Sequence, residues 1–414
     1  MTRATLDQHT TRYSTIDWSE VATGRPSDLF EQDWRERRSE IEATIRGRRL
    51  LVIGGAGSIG SATVKLIADF KPQALHVVDP NENNLAELVR DLRSREQGLD
   101  VRDFRTLPID FGSPIMRRFV ASEAPYDLIL NFAAIKHVRS EKDTCSLLQM
   151  LDTNVIKPAR FLQWMRSRGT DSAYFSISTD KAANPVNLMG ASKRLMEHVL
   201  FADDRGSRRM SSRFANVAFS DGSLLASFIR RIEKRQPIAC PEETRRFFIS
   251  MREAGEICVL AAACAPSRSI AIPRMDSEKD LRTLDQIAAT FLSLQGFEPR
   301  IYRDEQEARM KMGDDLRSGY YPLLLTALDT AGEKPYEEFV GDGEEVDEFG
   351  MSNLLAVRYA AVPAESVGTF VDEVEKLIAE PSSTIEKQDL VQMMGVVVPE
   401  LRHNEQRTHL DQRM

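Results

Sequence analysis

The segment Leu50-Leu51-Val52-Ile53-Gly54-Gly55-Ala56-Gly57-Ser58-Ile59-Gly60 constrains this chain more than any other. Four apolar residues closed by a glycine turn read as a buried strand, and Ala62-Thr63-Val64-Lys65-Leu66-Ile67 continues as a helix. A strand that turns on glycines into a helix gathers backbone N–H groups and the positive end of the helix dipole at one point. A pyrophosphate is received in that way. A glycine pattern alone is a weak signal, and the strand before it and the helix after it give it weight. A second apolar run, residues 74–78, ends in Asp79, 19 positions after Gly60. A carboxylate there accepts hydrogen bonds from an adenosine ribose, and Pro80-Asn81-Glu82-Asn83-Asn84 offers no cation for a 2′-phosphate. The segment points to NAD rather than NADP, with Gly54, Gly57, Ser58, Ile59, Gly60 and Asp79 as contacts.

Strand and helix patterns go on alternating. Residues 83–92 read as a helix, 104–109 as a strand running into Asp110, and 115–121 as a helix. Asp110 is placed for the adenine edge. Residues 128–134 read as a strand ending on Ala133 and Ala134, where small side chains let the backbone approach a cofactor. Lys136 and His137 follow, and His137 stays outside the catalytic set because a lone histidine is more often structural. A helical stretch with Leu148, Leu151 and Val155 carries Asn154. The next strand, 174–177, delivers Ser178-Thr179-Asp180-Lys181 at its end. The helix after it carries Met189 and Lys193, four positions apart on one face. The alternation predicts an α/β fold with a doubly wound parallel sheet, whose ligands lie beyond the carboxyl ends of the strands. Residues 213–217 read as a further strand.

Together, Gly54–Ser61, Ala133–Val138, Thr153–Val155, Ser178–Ala182 and Met189–Arg194 resemble the nucleotide-sugar 4,6-dehydratases, which are extended short-chain dehydrogenases. The nearest resemblance is to the UDP-N-acetylglucosamine 4,6-dehydratases of bacterial polysaccharide and glycoprotein biosynthesis. Arg213–Val217, Asp221-Gly222-Ser223, Arg246-Phe247-Phe248 and residues 332–338 extend it, from about Arg48 to Phe339. The resemblance implies a Rossmann fold with a smaller C-terminal substrate-binding lobe, NAD as cofactor and a nucleotide sugar as substrate. It implies a C4 ketone that acidifies the C5 proton, loss of the C6 hydroxyl as water, and return of hydride to C6. Such chemistry needs one acid and one base. By this resemblance Asp180 is the acid, Lys181 the base, and Thr179 the partner of the C4 oxygen. Lys193 holds the nicotinamide ribose and depresses the Lys181 amine. Asn154 is implied as a cofactor contact. Lys136, Asn216, Ser223 and Arg246 are implied as substrate contacts, with Arg246 suited by its fork to the diphosphate.

Met189 stands where ordinary short-chain dehydrogenases carry a catalytic Tyr. A thioether moves no proton, but one dehydratase branch, resembling the C5-retaining one, carries Met there. Two further departures are Ala215 for a usual Gly and Ser220-Asp221-Gly222-Ser223 for a simpler glycine–serine pair. The rival enzyme reading is a nucleotide-sugar epimerase or 4-oxidoreductase. The rival of another class is a non-catalytic nucleotide-sugar sensor, which would have no use for the Asp180–Lys181 pair.

Composition sets the outer bounds. At 414 residues and 42% hydrophobic content, the chain holds one large or two fused globular domains. Its 55 basic and 63 acidic residues leave a net charge of −8, against any general nucleic-acid footprint. Cys145, Cys240, Cys258 and Cys264 are scattered, without a zinc or disulfide framework. With no signal peptide and no run long enough to span a bilayer, a reduced cytoplasmic protein is expected. The expected partition is 1–47 as N-terminal arm and helix, 48–212 as NAD-binding domain, 213–345 as mainly substrate lobe and 346–414 as C-terminal extension. Residues 1–26 read as a polar arm. A helix from Ser27, with Phe30, Trp34, Ile41 and Ile45 on one face and Gly47 as its stop, suits an oligomer contact or packing on its own domain equally. Residues 341–348 read as a solvated acidic linker, 367–378 as an amphipathic helix, 388–398 as a short apolar element and 400–414 as a polar tail. The extra apolar segments, with the resemblance, lead to an expected homo-oligomer.

Overall fold

The computed structural model describes residues 16–202, 206–327, 338–380 and 385–403. The first six strands are β1 (Arg49–Ile53), β2 (Ala74–Val78), β3 (Asp103–Leu107), β4 (Leu128–Asn131), β5 (Ala173–Ile177) and β6 (Arg209–Ser212). They pair in parallel in the order β3-β2-β1-β4-β5-β6. Winding reverses between β1 and β4, and a crevice opens there at the carboxyl ends of the strands. Every residue of β2 and β4 is buried, as helices on both faces require. The doubly wound α/β expectation holds.

The later strands are β7 (Asn216–Val217), β8 (Ile238–Pro241), β9 (Arg245–Ile249), β10 (Ser269–Pro273), β11 (Leu281–Thr283), β12 (Glu298–Tyr302), β13 (Tyr320–Thr326), β14 (Val346–Asp347) and β15 (Leu354–Arg358). They cross the divide placed at residue 212. β10 pairs in parallel with β6, β15 runs antiparallel to β10, and β14 to β15, which extends the main sheet to nine strands. The wholly buried run Ser269–Pro273 needs that interior position. Two three-stranded sheets, β11-β9-β7 and β12-β13-β8, form the smaller lobe around a second core that includes Phe228, Phe291 and Tyr321. The strand expected at 213–217 is interrupted: the chain leaves the main sheet after Ser212 and pairs again in the lobe at Asn216.

The ends differ from the sequence expectation. Helix Trp18–Thr23 forms within the stretch read as an arm, and its Trp18 ring lies 4.8 Å from Phe291 of the lobe. The helix expected from Ser27 begins at Glu31 and breaks at Arg37 into Glu31–Glu36 and Arg38–Ile45. Phe30, Ile41 and Ile45 are fully buried in the chain's own core. Helices Ala364–Ala379 and Lys387–Val397 bury Val367, Phe370, Val374, Leu390 and Met394. Both lie against helix Leu188–Phe201, every residue of which is buried. Much of the apolar surface behind the oligomer expectation is therefore buried inside one chain, with Ile378 left 39% exposed. The 341–348 stretch is not a solvated linker throughout, because the Glu344 side chain is 4% exposed and pairs with two arginines. Residues 1–15, most of the 332–338 motif and the tail from 404 lie outside the described residues. Among the described residues, no helix is long and apolar enough to cross a membrane.

Candidate active site

At the switch point the glycines have different jobs. Gly54 has φ of 69°, and a Cβ on it would stand 2.6 Å from the Ala133 nitrogen. A Cβ on Gly60 would stand 2.3 Å from the Gly54 carbonyl oxygen. Those two let the turn close and the helix approach the strand. A Cβ on Gly57 would meet only the Gly54 oxygen, at 3.5 Å, so the fold itself does not forbid a side chain there. The space it leaves is a cradle at the start of helix Ser58–Ala68, whose first turn has neither a side-chain cap nor an acid. Asp79, at the end of β2, accepts the Ala56 N–H at 3.2 Å and the Asn81 N–H at 2.9 Å. It thereby ties the glycine loop to the second strand. Asp110 accepts Lys157 Nζ at 2.6 Å and the Gly112 N–H at 2.9 Å.

A cleft of about 370 Å³ runs from this cradle to the lobe. Of the residues singled out in the sequence, Gly54, Gly57, Ser58, Ile59, Gly60, Ala134, Lys136, Thr179, Asp180, Lys181, Met189, Lys193, Asn216 and Ser223 line it. Asp79, Asp110, Ala133, Asn154 and Arg246 are not among its lining residues.

One wall is the end of β5. Asp180 Oδ1 accepts the Thr179 hydroxyl at 2.8 Å, the Lys181 N–H at 2.9 Å and Lys181 Nζ at 3.2 Å. Asp180 is buried, and Lys181 is about a fifth exposed. Asn187 then caps helix Leu188–Phe201 by accepting the Gly190 N–H at 2.8 Å. Glu141, beside the same helix start, accepts the Met189 N–H at 2.8 Å, and burial raises its carboxyl above the usual range. Lys193 follows one turn on. Burial lowers its ammonium to about 8, against the opposing pull of Glu197. Asn154 lies in the π-turn Asp152–Ile156, where it accepts the Ile135 N–H at 2.8 Å. Its amide donates to the Ile135 carbonyl and to Ser192 Oγ, both at 2.9 Å. In this structure Asn154 joins the loop after β4 to the helix of Lys193.

The opposite wall comes from the lobe. Phe219 has φ of 54° and Gly222 of 73°, so residues 219–223 turn back on themselves. The Asp221 N–H donates to Ser58 Oγ at 3.0 Å, the Ser58 hydroxyl donates to Asp221 Oδ2 at 3.2 Å, and Lys136 Nζ donates to the Asp221 carbonyl at 2.9 Å. Ser223 caps helix Leu224–Glu233. Asn216 Nδ2 donates to the Phe247 carbonyl at 3.3 Å. Arg246 is mostly buried on β9 opposite Arg282, and its Nη1 donates to the Arg245 carbonyl at 2.9 Å. Phe214, Val217 and Ser220 line the cleft without a role assigned from the sequence, and His137, left outside the catalytic set, lines it too. Their signal was positional, since His137 follows Lys136 after the end of β4 and Phe214 follows the end of β6. A Cβ on Gly222 would come 2.8 Å from His137 Nε2, so the bare glycine makes room for that ring.

The sequence model of the polysaccharide biosynthesis protein family matches residues 50–359. The chain belongs to that family. A Methanocaldococcus jannaschii protein, named an uncharacterized membrane protein, is 30% identical over 63% of this chain and 76% of its own. The probable polysaccharide biosynthesis protein EpsC of Bacillus subtilis is 28% identical over 74% of this chain, which spans about half the length of that relative (47%). A Campylobacter jejuni UDP-N-acetylglucosamine 4,6-dehydratase (inverting) is 26% identical over 56% of this chain and 69% of its own. Relatives named UDP-glucose 4-epimerase are also found, at 24% identity in Rickettsia bellii. Among solved structures, Pen from Bacillus thuringiensis shares the fold, with a TM-score of 0.61 and 19% identity over 86% of this chain and 98% of that one.

Proposed function

We propose that the protein is an NAD-dependent nucleotide-sugar 4,6-dehydratase for polysaccharide or glycoconjugate biosynthesis, acting on UDP-N-acetylglucosamine with retention at C5. The observation that carries this reading is the Asp180–Lys181 pair, held at a strand end in the same cleft as a glycine cradle. Family membership and the dehydratase relatives support the dehydration itself. Those relatives are named inverting, and the proposed retention at C5 rests on Met189 in the place of the usual Tyr.

The residues present fit the dinucleotide. The Gly57 cradle suits the pyrophosphate, Asp79, tied to the glycine loop through the Ala56 N–H, is assigned to the adenosine ribose, and Lys193 in the cleft to the nicotinamide ribose. Bound NAD would supply the hydride acceptor for sugar C4 and the donor for C6. The chain's own groups move the protons. Lys181 Nζ takes the C5 proton, and the Asp180 carboxyl gives one to the departing C6 hydroxyl. Those roles need a neutral amine and a protonated acid, one proton transfer away from the ion pair seen at 3.2 Å. The neutral pair carries the same net charge, and expulsion of water on substrate binding favours it. Thr179 Oγ1, already beside Asp180, meets the C4 oxygen. The proton that the C4 hydroxyl gives up on oxidation leaves to solvent and balances the one that restores Asp180 after water departs. Lys181 returns its proton to C5 as hydride reaches C6. Met189 contributes a wall and no proton.

A 4-epimerase remains the second reading, favoured by the epimerase relatives. It requires hydride and hydroxyl-proton transfer at C4 alone, and leaves one member of the carboxyl–amine pair without work. Incubation with UDP-N-acetylglucosamine, followed by mass and NMR analysis, separates the readings. Loss of one water with the original C5 configuration is expected. A product of unchanged mass with inverted C4 would make the protein an epimerase. Binding without any conversion would make it a sensor.

A further inference from the structure

Glu344 collects partners that are far apart in the sequence. Its carboxylate accepts Nη1 and Nη2 of Arg213 at 2.6 and 2.9 Å, Nη1 of Arg194 at 2.6 Å and the Gly341 N–H at 2.7 Å. Arg213 is fully buried, and its Nε and Nη2 reach Glu197 at 2.8 and 2.7 Å. Glu197 accepts the Ser178 hydroxyl at 2.6 Å. Ser178 immediately precedes Thr179-Asp180-Lys181, Arg213 immediately precedes the Phe214–Val217 wall, and Arg194 adjoins Lys193. Three sides of the cleft thus converge, one to three hydrogen bonds away, on a single carboxylate from a distant segment.

Backbone fit reinforces the charges. A Cβ on Gly341 would stand 2.3 Å from the Ala183 carbonyl oxygen, so the segment bearing Glu344 lies directly on the turn that follows Lys181. The Asp342 N–H donates to Asn184 Oδ1 at 3.0 Å on the same turn. Arg194 and Arg213 face Glu197 and Glu344 here, with the part-exposed Glu400 accepting Arg194 Nε at 2.8 Å, and removing the Glu344 charge strips Arg213 of one of its two buried carboxylates. Burial of two ion pairs is a poor way to gain stability over apolar packing. It is a good way to fix the mutual placement of three separate elements.

We propose that Glu344 is a positioning residue of the reaction, holding the Thr179–Lys181 turn, the Phe214–Val217 wall and Lys193 in register through Arg213, Arg194 and Glu197. The proposal rests on the dehydratase reading only for the choice of assay. Proton transfer between fixed groups is sensitive to placement, whereas nucleotide binding at the glycine cradle does not pass through this cluster.

The test compares kcat, KM, NAD affinity and melting temperature in wild type, Glu344→Gln, Glu344→Asp and Ser178→Ala. A misplacement of about 1 Å costs on the order of 100-fold, so Glu344→Gln is expected to lose about that much kcat. KM for the nucleotide sugar and Kd for NAD should move by less than about threefold, the pattern of an interaction needed in the transition state alone. Glu344→Asp should recover part of kcat at an unchanged melting temperature. Ser178→Ala leaves every charge of the cluster in place and removes its hydrogen bond to the turn. It should lose roughly tenfold in kcat, more than the modest fall in melting temperature from one lost buried hydrogen bond accounts for. Should Glu344→Gln fail to fold, Ser178→Ala decides alone. The proposal is overturned if kcat of the folded variants stays within about twofold of wild type, or if losses follow melting temperature alone. If wild type releases an epimerised sugar, the dehydratase reading fails, and the same ratios are read on epimerisation.

Discussion

Lys181 Nζ lies 3.2 Å from Asp180 Oδ1, the same oxygen that receives the Thr179 hydroxyl and the Lys181 N–H. Acid and base rest as one hydrogen-bonded unit, so each should matter in a distinct half of the reaction. Lys181→Met is expected to lose about 10²–10⁴-fold in turnover, the usual weight of a general base. Reduced-nicotinamide absorbance should build up in that variant without loss of water. Asp180→Asn should still exchange the C5 proton with deuterated solvent while losing most dehydration. Met189→Ala should cost far less than either. Near wild-type dehydration by Lys181→Met would remove Lys181 from its role.

Lys193 gives the fold a pH dependence of calculable sign. Burial lowers its ammonium from 10.5 to about 8, so between those values the unfolded chain binds the extra proton. Stability should therefore rise with pH across that window, and the full burial cost, roughly 3 kcal/mol at 1.36 kcal/mol per pKa unit, is borne below it. Lys193→Met should raise the denaturant midpoint at neutral pH while abolishing activity. The difference from wild type should shrink as pH approaches 10.5. An unchanged difference between neutral and alkaline pH would contradict that sign.

Asp79 serves two masters, the Ala56 N–H of the glycine loop and the ribose that the cleft is proposed to hold. Asp79→Ala removes both a charge-assisted hydrogen bond, worth about 1.5–3 kcal/mol, and the repulsion of a 2′-phosphate. NAD affinity should fall by about tenfold or more, and the preference over NADP should narrow. Calorimetric titration with both dinucleotides checks this. Equal affinity of wild type for the two would refute the assignment.

The Asp221 carboxylate stands at Ser58, the first residue of the helix that opens the cradle. A negative charge there competes with a bound pyrophosphate for the same helix end, at about 0.3–1 kcal/mol. Asp221→Asn should tighten NAD binding by about two- to fivefold at low salt, with the gain fading as ionic strength rises. Weaker binding would mean that Asp221 supports the cofactor rather than crowding it.

Much of this was legible from local pattern. The glycine strand–turn–helix, the regular alternation and the carboxylates at strand ends each depend on a few neighbouring residues, and β1 to β6 follow from them. The cleft residues at Thr179, Asp180 and Lys181 were legible for the same reason. What escaped was long-range. Glu344 sits in a stretch of Gly, Asp and Glu that locally reads as solvated, and Arg213 and Arg194, 131 and 150 positions earlier, make it a buried counter-ion. The amphipathic helices near both ends announced an apolar face but not its partner, which turned out to be the chain itself. Arg246, assigned by motif to a diphosphate, lies on β9 opposite Arg282 of β11 and is not among the lining residues of the cleft.

Helix Leu188–Phe201 has no wet side. Its amides open to exchange only when the surrounding domain opens, and each of its side chains must keep its volume. Met189 and Lys193 are therefore mounted on the part of the molecule least free to drift in sequence. Lys136 and His137 are exposed, and the turn at Asp221 is open to solvent. A change of sugar or nucleotide preference has room to accumulate on that bank of the cleft, while the proton-handling bank stays as it is.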